Sequence, residues 1–168
     1  MAGRFALALC AALVPGLACA EGFAVSDLGT LDVETAVFEG GTYAARATDP
    51  DRLTIMCTDC DDMVAIDVLL GESTDGTEGR VRSGETKIED MEAMCKARDP
   101  SCTLTGVSVG PAIGWVSVYD GMIPGSTTVL FRDGDLLTIR SIAPDRETAA
   151  ANGALVRETL APQIVGSD

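Results

Sequence analysis

Residues 127–142 constrain the fold most: two alternating segments, 127–132 (TTVLFR) and 135–142 (DLLTIRSI), flank Asp133-Gly134. An Asp-Gly pair suits the left-handed positions of a two-residue hairpin turn, so the segments predict adjacent antiparallel strands. Both are apolar at nearly every second position, with Leu130 and Leu137 on the opposite parity. That pattern predicts an interior pair covered on at least one face.

More β pattern precedes it. Residues 103–109 (TLTGVSV) and 114–119 (GWVSVY) alternate on either side of Gly110-Pro111. Residues 53–57 (LTIMC) and 63–70 (MVAIDVLL) read as a hairpin with Thr58-Asp59 at its tip. Residues 35–48 alternate loosely around Gly40-Gly41 and predict another hairpin, after which Asp49-Pro50-Asp51 turns the chain. In the polar connection 71–85, Arg80-Val81-Arg82 predicts a short edge strand.

Two segments carry helical spacing. Thr86 and Glu89 have the form of a capping box, Ile88, Met91 and Cys95 recur on one face with Met94 beside them, and Asp99-Pro100 stops the helix. The second helix, 146–160, opens after Pro144-Asp145, carries Ala151, Leu155, Val156 and Leu160 as its stripe, and ends before Pro162. Asn152-Gly153 weakens it by about 1 kcal/mol relative to alanine, so packing must hold it in place. The expected fold is α+β: a mainly antiparallel sheet with one central helix and a C-terminal helix packed on it. A hairpin followed by a helix docked back on the sheet, over about the last forty residues, resembles the arrangement in PsbP- and Mog1-like domains. This resemblance rests on element order and implies architecture alone.

The N-terminus reads as a secretory signal peptide. Arg4 gives a positive start, residues 5–14 (FALALCAALV) an apolar run, Pro15-Gly16 a break, and Ala18-Cys19-Ala20 the small residues that signal peptidase reads. Cleavage is expected after Ala20, leaving residues 21–168 as a single globular domain stapled by disulfides. A competing reading takes residues 16–19 as a lipoprotein signal with Cys19 lipidated. Gly16, where leucine is usual, favours the Ala-x-Ala site. No later apolar run reaches the ~18 residues of a membrane helix.

The formal net charge is −14, one unit more negative once Arg4 leaves with the leader. Such a surface repels phosphate backbones and anionic headgroups, and few aromatics are present to stack on bases, which argues against nucleic-acid binding. Histidine is absent. That excludes Ser-His-Asp and Cys-His catalysis, histidine-ligated haem, and histidine-based zinc or copper(II) sites.

Cys57, Cys60, Cys95 and Cys102 remain after the leader, and in an exported chain they imply two disulfides with three possible pairings. Cys57–Cys60 and Cys95–Cys102 are expected because each pair brackets a turn; the crossed pairings would tie the hairpin to the helix. A thiol-oxidoreductase centre at Cys57-Thr-Asp-Cys60 is disfavoured. Asp61 and Asp62 follow it, a strand rather than a helix comes next, and Met56 stands where thioredoxin-like centres often carry tryptophan. Met56, Cys57, Cys60, Met63, Met91, Met94 and Cys95 form a candidate copper(I) set of thioethers and thiolates. Asp59, Asp61 and Asp62 crowd the hairpin tip and would suit calcium, but EF-hand spacing is missing and a solvated acidic tip is favoured.

Trp115 lies in an alternating strand and reads as core rather than as a ligand platform. No Gly-rich phosphate loop, nucleophile elbow or zinc motif is present, and a hydrolytic carboxylate pair cannot be picked out of 26 acids. The resulting expectation is an exported, periplasmic, non-enzymatic binding or accessory module acting on an envelope protein or small ligand. The alternative is a periplasmic copper(I)-handling or CxxC thiol-redox protein.

Overall fold

The structure, a computed structural model, describes residues 22–167; the expected leader, its cleavage point after Ala20, and Cys19 lie outside the described residues. Seven strands form one antiparallel sheet: β1 (Tyr43–Asp49), β2 (Arg52–Cys57), β3 (Ala65–Glu72), β4 (Thr103–Val109), β5 (Ala112–Tyr119), β6 (Gly125–Arg132) and β7 (Asp135–Ile142). Their order is β1-β2-β3-β7-β6-β5-β4. Two meanders therefore meet where β3 pairs with β7, in unbroken register from Ala65 opposite Ile142 to Glu72 opposite Asp135. Helices α1 (Thr77–Arg82) and α2 (Ile88–Arg98) lie on the connection between the meanders, and α3 (Arg146–Thr159) and α4 (Ala161–Val165) follow β7.

Period-two patterning places the core on one face. Leu53, Ile55, Ile66, Val68, Leu130, Leu137 and Ile139 are each at most 2% exposed. They share that face through the registers Ile55–Ile66, Val68–Ile139 and Leu130–Leu137. Fully burying such a side chain contributes about 1.5–3 kcal/mol. Val156 and Leu160, with Ile164 and Val165 of α4, complete the cluster. The N-terminal segment is tied to the same structure by three backbone donors. Phe23 N–H donates to the Asp135 carboxylate (2.6 Å), Val25 N–H to the Ile164 carbonyl (3.2 Å) and Leu28 N–H to the Pro50 carbonyl (2.7 Å).

The α+β class and the helix after the last hairpin match the expectation; several local expectations do not. Arg80-Val81-Arg82 belongs to a helix, α1, rather than to an edge strand. The Asp75 carboxylate accepts from Thr77 N–H and Oγ at its start. The α1 residue Glu78 accepts from the backbone N–H groups of Asp133 (3.0 Å) and Gly134 (2.9 Å), fastening the β6–β7 turn. Burial pushes the Glu78 carboxyl up, but the hydrogen bonds from Gly134, Arg82 and Asp133 outweigh it and hold its pKa below the ordinary value. The turn itself has left-handed φ at Asp133 (54°) and Gly134 (95°), the pattern of a tight two-residue hairpin.

The middle of the chain thus holds two helices, not one. The capping box does not form either: α2 begins at Ile88 after Lys87, with no side-chain cap. Instead Glu92 reaches the edge strand, accepting the Leu104 N–H at 3.4 Å, which covers part of an otherwise open sheet edge. The hairpin around Gly40-Gly41 is also absent. Val33–Thr35 is a single 3₁₀ turn, Phe38 stacks on Tyr43 (4.5 Å between ring centroids), and β1 pairs with β2. Pro162, expected to end the long helix, falls in the first turn of α4, where its missing N–H costs no helical bond.

The buried stripe of α3 is Ala149, Asn152, Gly153 and Val156, continuing to Leu160, while Ala151 is exposed and Leu155 half-buried. The reason is steric. A Cβ on Gly153 would lie 3.2 Å from Ser126 Oγ and 3.6 Å from Ser141 Cβ. The dipeptide read as a weak spot is where α3 packs tightly on the sheet, over two small serines. Trp115 is likewise displaced from its expected role: it points to the sheet's other face, against Phe131 (5.4 Å between centroids), outside the main core.

Gly153→Leu is therefore expected to destabilise the protein by about 1–3 kcal/mol through overpacking, although it removes a poor helix former. Urea unfolding measures this. An unchanged or raised midpoint would contradict the close approach of α3 to Ser126 and Ser141.

Candidate functional site

The structure links Cys57 to Cys60 at the β2–β3 tip and Cys95 to Cys102, which ties α2 to the start of β4. These positions fall near opposite edges of the sheet, with β3, β7, β6 and β5 between β2 and β4. Five strand spacings of about 4.8 Å put them roughly 24 Å apart. The proposed soft-ligand set is thus divided. Met56, Cys57, Cys60 and Met63 lie at one tip; Met91, Met94 and Cys95 lie on α2. Met56 (46%), Met63 (58%) and Met94 (64%) are exposed, and Met91 is half-buried. A copper(I) site drawing on the whole span 56–102 is not assembled.

At the first tip, Cys57 Sγ, Cys60 Sγ and an Asp59 oxygen lie within 4.8 Å of one another. The sulfurs are bonded to each other, so neither offers a thiolate. Asp59 lies 3.6 Å from Cys57 Sγ, where its negative charge disfavours a thiolate. Both oxygens of Asp59 are engaged within the fold, one accepting Thr42 N–H (2.6 Å) and the other Thr42 Oγ (2.8 Å). Thr58 N–H and Oγ both donate to the Thr42 carbonyl, at 2.8 and 3.0 Å. Gly41 lies directly over the disulfide; a Cβ there would fall 2.6 Å from Cys57 Sγ and 2.8 Å from Cys60 Sγ. The tip is fixed by a covalent bond on one side and an Asp–Thr clamp on the other. The three aspartates do not converge as calcium ligands, because Asp59 is spent on the clamp.

Beside this tip runs a groove of about 520 Å³. Pairing of β3 with β7 brings Cys60, Asp61, Asp62 and Val64 alongside the start of α3, so that Pro144, Asp145, Thr148, Ala151 and Asn152 form the facing wall. Glu39, Gly40 and Tyr43 close it. Asp145 is engaged as the α3 N-cap, accepting Thr148 N–H and Oγ at 2.8 Å each. Glu39, Asp61 and Asp62 make no hydrogen bond or ion pair with any described residue. Asn152, beside the α3 wall, is only 8% exposed, and its amide nitrogen, closed off from solvent, has no hydrogen-bond partner among the described residues.

Sequence reasoning picked out the tip but not its partners across the groove. Tyr43, Thr148 and Asn152 carry no motif; β1–β2 pairing sets Tyr43 opposite Cys57, and the non-local β3–β7 pairing brings the α3 residues there. A second groove, about 430 Å³, lies on the opposite sheet face between Trp115, Phe131, Leu136 and the 72–77 loop. No helix among the described residues is long and apolar enough to cross a membrane. Comparison with protein-family models, curated proteins and solved structures finds no match to this chain.

The Thr42 backbone N–H, followed by its hydroxyl, holds the Asp59 carboxyl below the ordinary carboxylate range. The sign follows: the clamp is intact above the ordinary pKa of about 4 and is lost only as pH falls through the lowered value. In an NMR pH titration the Thr42 amide is expected to stay fixed down to pH ~4 and to move below it. A midpoint at or above the ordinary value would contradict the clamp. Removing the disulfides tests the staples. Closed loops of four and eight residues (separations 3 and 7) predict losses of about 2 kcal/mol for Cys57→Ser/Cys60→Ser and about 2.5 kcal/mol for Cys95→Ser/Cys102→Ser. A loss under about 0.5 kcal/mol for both would show that neither acts as a staple.

Proposed function

We propose that the protein is an exported, non-enzymatic binding or accessory module that takes its ligand or partner in the groove between the β2–β3 tip and α3. One observation carries this reading. The tip is immobilised by the Cys57–Cys60 bond and the Asp59–Thr42 clamp, yet the Glu39, Asp61 and Asp62 carboxylates beside it have no partner among the described residues. Rigidity concentrated next to unengaged charge is the arrangement of a preorganised binding surface, which lowers the ordering cost of association. A groove of about 520 Å³ also falls within the ~300–1,000 Å³ of small-ligand sites. Disulfides accord with an oxidising compartment, and the leader-like N-terminus with delivery to the periplasm. The copper(I) or thiol-redox alternative requires the Cys57–Cys60 bond to open beside Asp59, and nothing in the tip's geometry favours that.

Ala151 is exposed on the groove wall, so Ala151→Trp fills the groove without entering the core. Envelope extract added to ¹⁵N-labelled protein is expected to shift amides at 39–43, 60–64 and 144–152, and Ala151→Trp is expected to abolish those shifts at unchanged melting temperature. Shifts confined to the Trp115 groove, or shifts that survive in Ala151→Trp, would contradict this assignment.

A further inference from the structure

The two edges of the sheet are finished differently. At β4 the Leu104 N–H donates to Glu92, and the Cys95–Cys102 bond ties α2 alongside. At β1 no comparable cover is present among the described residues, and Ala44 to Asp49 are all exposed. Hydrogen bonding alternates along an antiparallel pair, and the Thr58 N–H donating to the Thr42 carbonyl fixes its phase. Ala44 and Arg46 therefore turn their backbone groups to Met56 and Thr54 of β2, whereas Tyr43, Ala45 and Ala47 turn theirs outward. Those outward N–H and C=O groups have no partner among the described residues. An unbroken row of this kind is a template for a further strand. The bulge between Ala47 and Asp49, with the Leu28–Thr30 turn beside it, limits such a strand to the span 43–47.

The side chains on the two flanks of β1 say what that strand carries. On one face Arg46 stands level with Thr54 and Asp67. Asp67 accepts from Thr54 Oγ (2.7 Å) instead, and Arg46 makes no ion pair or hydrogen bond with any described residue, in a chain of net charge −14. The added residue level with Arg46 falls in a non-hydrogen-bonded pair, about 4.5 Å away between Cα atoms, where a carboxylate reaches the guanidinium. On the other face Ala45 and Ala47 lie level with Ile55 and Leu53, each 2% exposed, so side chains added beside them extend the core and are apolar. We propose that β1 docks an extended segment of another protein as an eighth strand, with an acidic residue against Arg46 and apolar residues on either side of it in sequence. A second copy of this chain does not supply that. In antiparallel self-pairing outward residues face outward residues, which sets Arg46 opposite Thr42, Ala44, Arg46 or Thr48 and never opposite an acid.

The test adds three end-blocked peptides to the ¹⁵N-labelled protein: Thr-Val-Glu-Val-Thr, its lysine counterpart, and the glutamate peptide N-methylated at both valines. The glutamate peptide is expected to shift the Tyr43, Ala45 and Ala47 amides saturably and to slow their exchange with deuterium. The N-methylated peptide is expected to do neither, and the lysine peptide to bind about fivefold more weakly. Arg46→Glu is expected to reverse the preference between glutamate and lysine. Ala45→Pro removes an outward N–H and no bond to β2, so the melting temperature is expected to hold while peptide binding is lost. Should that variant unfold, the Arg46→Glu reversal still decides. Ala151→Trp, which fills the groove beside α3, is expected to leave peptide binding unchanged, so this edge and the groove are tested separately. Equal binding of the lysine and glutamate peptides would overturn the acidic assignment. Binding of the N-methylated peptide, or undiminished binding by a folded Ala45→Pro protein, would overturn strand addition. Absence of shifts along β1 with every peptide would overturn the proposal, as would shifts there that follow protein concentration alone, which assign the edge to a second copy.

Discussion

The pairing of β3 with β7 is the constraint on which the rest depends. Without it the chain is two meanders, β1–β3 and β4–β7, each with an open edge at that seam. The joint runs eight residues in register, from Ala65–Ile142 to Glu72–Asp135, and it lies at the centre of the core: Ile66, Val68, Leu137 and Ile139 are wholly buried beside it. It is also non-local, so loop closure over the α1–α2 connection and the second meander must precede it, which predicts slow assembly relative to either hairpin alone. The groove is a direct product of this joint, because the end of the pairing sets Cys60–Asp62 beside the N-terminus of α3.

Helix α3 then converts a sheet into a covered core. Gly153 lets it settle on Ser126 and Ser141, and this close approach turns Asn152 toward the interior while leaving Ala151 on the groove wall. Arg146 anchors the start of the helix from the other side, donating to the Ser101 carbonyl (2.8 Å) and Thr103 Oγ (2.9 Å) next to the Cys95–Cys102 staple. Arg132 does the same at the far end, where it donates to the Val165 carbonyl (2.6 Å) at the C-terminus of α4. The α3 wall of the groove is thus held by contacts outside it.

Much of this was legible in the sequence where signals are local. Asp133-Gly134 sets its own turn, the period-two segments 53–57, 103–109 and 135–142 lie within strands, and the helix after Pro144-Asp145 begins where its spacing predicts. Signals that depend on distant partners misled. Thr86 and Glu89 have capping-box spacing, but α2 starts later and Glu92 is drawn to the edge of β4. Arg80-Val81-Arg82 alternates like a strand, but Asp75 and Glu78 fasten that stretch as a helix against the β6–β7 turn. The stripe of α3 rotated because backbone proximity at Gly153 outweighed the hydrophobicity of Leu155. The groove was invisible for the same reason: one wall comes from the tip and the other from α3, more than eighty residues away.

The most direct test of the account is hydrogen–deuterium exchange at the Thr42 and Thr58 amides, which join the groove's rim to the tip. A preorganised groove predicts protection of both comparable to neighbouring amides of β2, in free protein at neutral pH, and loss of that protection in Asp59→Ala. Exchange at the rate of an unstructured loop in the unsubstituted protein would contradict the clamp, and with it the claim that this surface is built in advance for a ligand.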